Sequence, residues 1–120
     1  EPMMSIAELG MAIGESLRYL GNTGIPCDYV GNADVNIPTD NVILLYEIFE
    51  RLAEETLPNL KAVYVKVENS AGIILKLTLE GVSAVLDEGT KDKLFQAGIP
   101  VTIKYEDENS YIRFRLTKEV

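Results

Sequence analysis

The 120-residue chain has no histidine and no tryptophan, and Cys27 is its only cysteine. Without histidine there is no Ser-His-Asp or Cys-His nucleophile system and no imidazole to hold zinc. A lone cysteine forms no intramolecular disulfide, which fits a reducing compartment, and it gives no route to a structural zinc site. Its expected place is the core, as a small apolar side chain. Cations are also scarce: 11 Lys and Arg against 19 Asp and Glu leave a net charge of −8. Such a chain repels phosphate backbones and anionic lipid, so nucleic acid and direct membrane contact are disfavoured. No apolar run approaches the roughly 20 residues of a membrane span. Glu1-Pro2-Met3-Met4 has neither the basic start nor the apolar centre of a signal peptide. That opening reads as a cut, so residues 1–120 are expected to be one domain of a longer protein.

What is present is a 47% hydrophobic composition, enough for one modest core. The strongest periodic signal runs from Thr39 to Leu57. Val42, Leu45, Phe49, Leu52 and Thr56 form one helical stripe, widened by Ile43, Leu44, Ile48 and Ala53. Glu47, Glu50, Arg51, Glu54 and Glu55 take the other side. Thr39 or Asp40 is the expected cap, and Pro58 stops the helix at about Leu57.

Ser5 to Gly21 reads as an earlier helix with Ile6, Leu9, Ile13, Leu17 and Leu20 on one face, and Ser5 with Glu8 as a capping box. Gly10 and Gly14 weaken it and leave room for an element to pack closely. Gly21-Asn22-Thr23-Gly24 ends it. A short strand follows from Cys27 to Val30, extending toward Asn32, then a polar loop from Asn32 to Asp40. Beyond the central helix, Lys61–Glu68 alternates strictly, Asn69–Gly72 makes a hairpin turn, and Ile73–Leu79 is the partner strand. Thr90–Gln96 is a short helix. Pro100–Tyr105 and Tyr111–Thr117 are strands around an acidic turn, Glu106–Ser110. The order predicts an α+β fold: a two-layer sandwich with a mixed sheet covered on one face by two long helices and a short one.

This order of elements resembles the ATP-binding catalytic domain of sensor histidine kinases, which has the Bergerat (GHKL) fold. SLRYLGNTGIPCDYV is similar to that family's opening helix, turn and first strand. ILLYEIFERLAEETLPNLKAVYVKV resembles its N-box helix with the next strand, and YEDENSYIRFRLTKE its closing hairpin. The resemblance implies a role in two-component signal transduction: binding Mg-ATP and passing its γ-phosphoryl to a histidine elsewhere in the same kinase chain. The implied partner is therefore the phosphoacceptor-histidine domain, with a homodimer as a further expectation. The implied location is cytoplasmic, attached in the whole protein to a membrane-bound sensor.

The family's three chemical groups are each altered here. Its N-box helix carries Glu-x-x-x-Asn, where the asparagine holds Mg²⁺. Counting back from Val65 puts Glu55 at the asparagine position, as a candidate hard-oxygen ligand for Mg²⁺, and Arg51 at the glutamate position. A second frame, Glu55 to Asn59, spells Glu-x-x-x-Asn, but Pro58 breaks the helix inside it. The adenine-binding Asp-x-Gly turn is replaced by Leu79-Glu80-Gly81, leaving Glu80 as the polar candidate. The Gly-rich lid, which brings backbone amides to phosphate, has about 20 residues available between that strand and the final hairpin. Candidate nucleotide-binding residues are therefore Arg51, Glu55, Asn59, Glu80 and Gly81.

Each candidate has a plain structural alternative. Arg51 and Glu55 sit one helical turn apart and can pair with each other, and Arg51 lies equally close to Glu47. Glu80 can simply begin a turn. Tyr46 and Tyr64 are expected at a core edge, and Glu106-Asp107-Glu108 at a solvated hairpin tip. Nucleotide binding is accordingly expected to be weak or lost. The alternative function is a non-catalytic binding or dimerisation module on the same fold. An exposed apolar patch on the central helix favours the module. A deep pocket lined by Glu55 and Glu80 favours a retained ligand site.

Overall fold

The computed structural model describes residues 2–21, 24–31 and 35–116, with the backbone alone at 19–21. Its elements in order are β1 (Met3–Ser5), α1 (Ile6–Gly21), β2 (Cys27–Gly31), β3 (Asn36–Pro38), α2 (Thr39–Thr56), β4 (Ala62–Asn69), β5 (Ile73–Glu80), α3 (Glu88–Gln96), β6 (Val101–Glu106) and β7 (Asn109–Arg115). Five strands form one sheet in the order β2-β4-β5-β7-β6. β2 runs parallel to β4 and every other neighbour is antiparallel. The predicted α+β sandwich with a mixed sheet is the observed one.

The core lies between the sheet and the helices. Val63, Val65 and Val67 of β4 face it together with Ile73, Leu75, Leu77 and Leu79 of β5 and Ile112 and Phe114 of β7. Ile6, Leu9, Ile13 and Leu17 of α1 and Val42, Leu45, Ile48, Phe49 and Leu52 of α2 meet them from the helical layer. The alternation of period two in the strands and the 3.6-residue stripe in the helices put these residues on facing surfaces. The Leu20 side chain of the α1 stripe, the turn residues Asn22 and Thr23, the strand extension to Asn32 and the end of the last strand at Thr117 lie outside what the structure describes.

Several local details differ from the sequence expectation. The Asn32–Asp40 loop contains β3, which pairs antiparallel with β1 as a second, two-stranded sheet. Three-residue strands are too short for a periodic signal. Neither Thr39 nor Asp40 caps α2; Pro38 holds the N-cap position without a side-chain bond. Instead the Thr39 N–H donates to the carbonyl of Pro2 at 3.0 Å, so the residue just before β1 satisfies one of the helix's orphan donors. Helix α3 starts at Glu88, two residues early, because Asp87 caps it by accepting from the Thr90 N–H at 2.7 Å. Strand β7 begins at Asn109, and the acidic tip is a two-residue turn, Asp107 (φ 52°) and Glu108 (φ 66°), as type I′ geometry has. Cys27 is exposed on the edge strand β2 rather than in the core. Withdrawal of its sulfur from water, then the Asp28 charge, push the thiol pKa up, so it is a poor nucleophile.

The two glycines of α1 have different causes. A Cβ on Gly10 would stand 2.3 Å from Cε2 of Tyr29, so β2 approaches the helix there as the spacing suggested. A Cβ on Gly14 would meet nothing within 4 Å. Opposite signs follow. Gly14→Ala is expected to raise stability by about 1 kcal/mol through helix propensity. Gly10→Ala is expected to lower it by about 1–3 kcal/mol, because the Tyr29 ring must leave its site. Urea unfolding of the two variants checks the contrast; equal shifts of one sign would contradict the packing.

Candidate functional site

A cleft separates α2 from the segment that carries the chain from β5 into α3. Leu44, Glu47, Ile48, Arg51 and Leu52 form one wall, and Val85, Leu86, Asp87, Thr90 and Lys93 the other. Its free space is only about 50 Å³. Leu86 and Thr90 are buried against α2, and the mouth is bridged by charge. Arg51 Nη1 donates to Asp87 Oδ2 at 2.7 Å and also approaches Thr90 Oγ1 at 3.5 Å. Asp87 Oδ1 takes the Thr90 N–H. Both carboxylate oxygens of Asp87 are thus engaged.

Hydrogen bonds from the Thr90 backbone and side chain, and then the Arg51 charge, hold the Asp87 pKa below the usual carboxylate range. A lowered folded pKa means the carboxylate contributes stability above its unfolded pKa and loses it as pH falls through the folded value. Asp87→Asn keeps a capping side chain but removes the charge. The difference in melting temperature between wild type and Asp87→Asn is expected to be full at neutral pH and to close in the acid range. A constant difference across that range would contradict this assignment.

The structure does not bring the five sequence candidates together. Arg51 lies in the cleft, and its partner is Asp87 rather than Glu47 or Glu55. Glu55 is exposed and lines no part of the cleft. Asn59, Glu80 and Gly81 meet at the end of the sheet, where the α2–β4 turn packs on the β5 terminus. Glu80 is half-buried, sits between Ala62 and Asn109 in register, and its carbonyl accepts from the Lys61 N–H at 2.9 Å. Gly81 has φ +86°, and a Cβ there would stand 2.9 Å from Lys61 Cγ and 3.2 Å from the Asn59 carbonyl oxygen. Glycine at 81 is required by that turn and its close neighbours. Asn59 is exposed, and its N–H closes the helix end on the Thr56 carbonyl at 3.0 Å.

Three residues important to this region had not been singled out. Ser110 is fully buried; its Oγ donates to the Val82 carbonyl at 2.7 Å and accepts from the Ala84 N–H at 2.8 Å. Asn109 Oδ1 accepts from the Gly81 N–H at 3.0 Å. The first two residues of β7 therefore pin the start of the β5–α3 segment. The third is Asp87. Asp87-Glu88-Gly89 spells Asp-x-Gly, but it lies beyond β5 and serves as a helix cap. The Asp87 cap with Thr90 three residues on was a visible signal; its pairing with Arg51, 36 residues away, was not.

Tyr46 is half-buried against the core, as expected, whereas Tyr64 is 43% exposed on the open face of the sheet. The apolar stripe of α2 is used up: its stripe residues are buried, and Ile43 is its one large hydrophobic more than a third exposed. Packing against α1 as well as the sheet accounts for this. No group of three or more acidic or cysteine side chains able to hold a metal occurs among the described residues. No described helix is long and apolar enough to cross a membrane.

No protein-family model matches this chain, and no curated protein matches it in sequence. Solved structures do. The nucleotide-free catalytic domain of histidine kinase ThkA superposes with TM-score 0.69 at 10% identity, over 98% of this chain and 95% of that one. The mycobacterial sensor histidine kinase MprB gives 0.69 at 12% identity, over 98% and 99%. The Acinetobacter baumannii histidine kinase AdeS gives 0.71 at 9% identity, over 98% of this chain and 66% of that one. The chain therefore has the Bergerat-type fold of histidine kinase catalytic domains, from its first helix to its last hairpin.

Proposed function

We propose that this chain is the catalytic-type domain of a sensor histidine kinase in two-component signalling, and that its nucleotide site has been closed. The fold supports the first half. The observation that carries the second is that only about 50 Å³ is free under the Arg51–Asp87 bridge, while the roughly 590 Å³ beside it, between Asp40, Asn41 and Leu44 of α2 and Lys93 and Gln96 of α3, is an open surface groove rather than an enclosed site. Small-molecule sites usually enclose about 300–1,000 Å³. The donor set does not fit Mg-ATP either. Glu55, the candidate Mg²⁺ ligand, is exposed and does not line this cleft, and the 20 residues from Gly81 to Pro100 are taken up by pinned backbone and α3 rather than by a lid.

On this reading residues 1–120 are one domain of a longer kinase chain. The work left to it is to hold a place beside the phosphoacceptor-histidine domain of that chain, at the cytoplasmic side. Calorimetric titration with ATP and ADP plus Mg²⁺, up to millimolar ligand, tests the proposal. No saturable heat is expected. Saturable binding would overturn the closed-site reading, and Glu55→Ala and Glu80→Ala would then show which group the nucleotide uses.

A further inference from the structure

β6 is the outer strand of the five-stranded sheet, and its free edge is built for pairing. Arg115 N donates to the Pro100 carbonyl at 2.9 Å, and the turn at Asp107-Glu108 closes on the Glu106–Asn109 pair. Antiparallel pairs alternate between hydrogen-bonded and open. Residues 102 and 104 therefore turn their N–H and C=O groups toward β7. Val101, Ile103 and Tyr105 turn theirs outward, where no described strand lies. These three also sit on the core side of the sheet, in register with Phe114, Ile112 and Ser110. Yet Ile103 is 39% and Tyr105 56% exposed, because the helical layer stops short of β6. An exposed apolar edge with free backbone groups is normally blunted by charge, bulge or proline. Here there is no proline inside the strand, and Lys104, its one cation, is neutralised by Glu106.

The geometry points to a second copy of this chain as the occupant, paired antiparallel through β6. Placing Ile103 opposite Ile103 of the second copy sets Val101 opposite Tyr105 and Thr102 opposite Lys104. In that register the outward groups of 101, 103 and 105 all face outward groups of the second copy, the apolar side chains meet on the core side, and no like charges oppose. A shift of one residue brings a backbone mismatch and turns core-side residues to the other face. Of the two neighbouring matched registers, one sets Lys104 against Lys104, and the other sets Thr102 against Thr102 and leaves Tyr105 beyond the start of the second copy's β6. The favoured pairing joins two five-stranded sheets into one of ten strands about a two-fold axis, a closed isologous contact. It does not depend on whether nucleotide binds.

Cross-linking reads the register directly. In a Cys27→Ser background, Ile103→Cys places two sulfur-bearing residues across a hydrogen-bonded pair roughly 5.5 Å apart in Cα, within disulfide reach. Its oxidised dimer is expected to form at least about tenfold faster than that of Lys104→Cys or of Tyr64→Cys on the opposite face. Each position is more than a third exposed or lies on the same open strand, so the variants are expected to fold, which circular dichroism verifies. Sedimentation equilibrium of the uncrosslinked chain supplies the second reading. The dimer fraction is expected to rise with salt, since each copy carries −8 and like charges are then screened, and Ile103→Glu is expected to remove it. A chain that stays monomeric at high concentration and high salt, or one that cross-links equally from positions 103, 104 and 64, would overturn the pairing.

Discussion

Truncating Phe49 to alanine is expected to cost about 3–5 kcal/mol, the usual range for a fully buried phenylalanine. Phe49 is 1% exposed at the middle of α2, in the core shared by α1, α2 and the sheet. Domains of this size hold only about 5–15 kcal/mol in total, so Phe49→Ala should leave a marginal fold. The lost transfer energy is joined by a cavity term, because α2 is held at one end by Pro2 and cannot collapse freely. Phe95, on α3, is the control: it is 85% exposed, and Phe95→Ala should stay within about 0.5 kcal/mol of wild type. Urea unfolding measures both. Comparable midpoints for the two variants would mean that α2 is not seated as described.

Ser110→Ala is expected to cost about 2–4 kcal/mol, far beyond a surface serine. The hydroxyl satisfies a buried acceptor and a buried donor at once, the Val82 carbonyl and the Ala84 N–H. Removing it strands both, at roughly 1–3 kcal/mol each with partial relief by water. The effect should also be local. The backbone of 81–87 loses its attachment to β7, so its amides should exchange faster than those of β4 and β5. Ser110→Thr keeps the hydroxyl and should recover part of the loss. If Ser110→Ala shifts the unfolding midpoint no more than an exposed serine does, the clamp has no energetic weight.

The two long helices and the β4–β5 hairpin were legible because their periodicities are local and uninterrupted. Val63, Val65 and Val67 alternate over one strand, and Val42, Leu45, Phe49 and Leu52 recur at helical spacing. The β1–β3 ribbon was not legible: Met3–Ser5 pairs with Asn36–Pro38 across the whole of α1, and three residues carry no period. The cleft was half legible. Arg51 stood out on the polar side of α2, but local spacing offered Glu47 and Glu55 as partners, and only the fold brings Asp87 to it. Ser110 was hidden for the same reason, since its partners Val82 and Ala84 lie 28 and 26 residues earlier. Gly81 was visible as a glycine at a strand end, but its cause, a positive φ beside Lys61 and Asn59, belongs to the folded turn.

The central claim is that the narrow space beneath the Arg51–Asp87 bridge, between α2 and the β5–α3 segment, takes no nucleotide, and that the open groove of about 590 Å³ beside it, between the start of α2 and the end of α3, holds none either. Amide hydrogen exchange over residues 81–96, with and without millimolar Mg-ATP, tests this most directly. A ligand bound to the folded state raises the free energy of every opening that releases it by RT ln(1 + [L]/Kd), so it slows exchange by the factor 1 + [L]/Kd. Identical exchange in the two samples is the expected result, with the Thr90 amide protected equally by Asp87 in both. Slowing confined to 81–96 and the facing turns of α2 would contradict the account, because it would mean that the Arg51–Asp87 bridge opens to admit nucleotide.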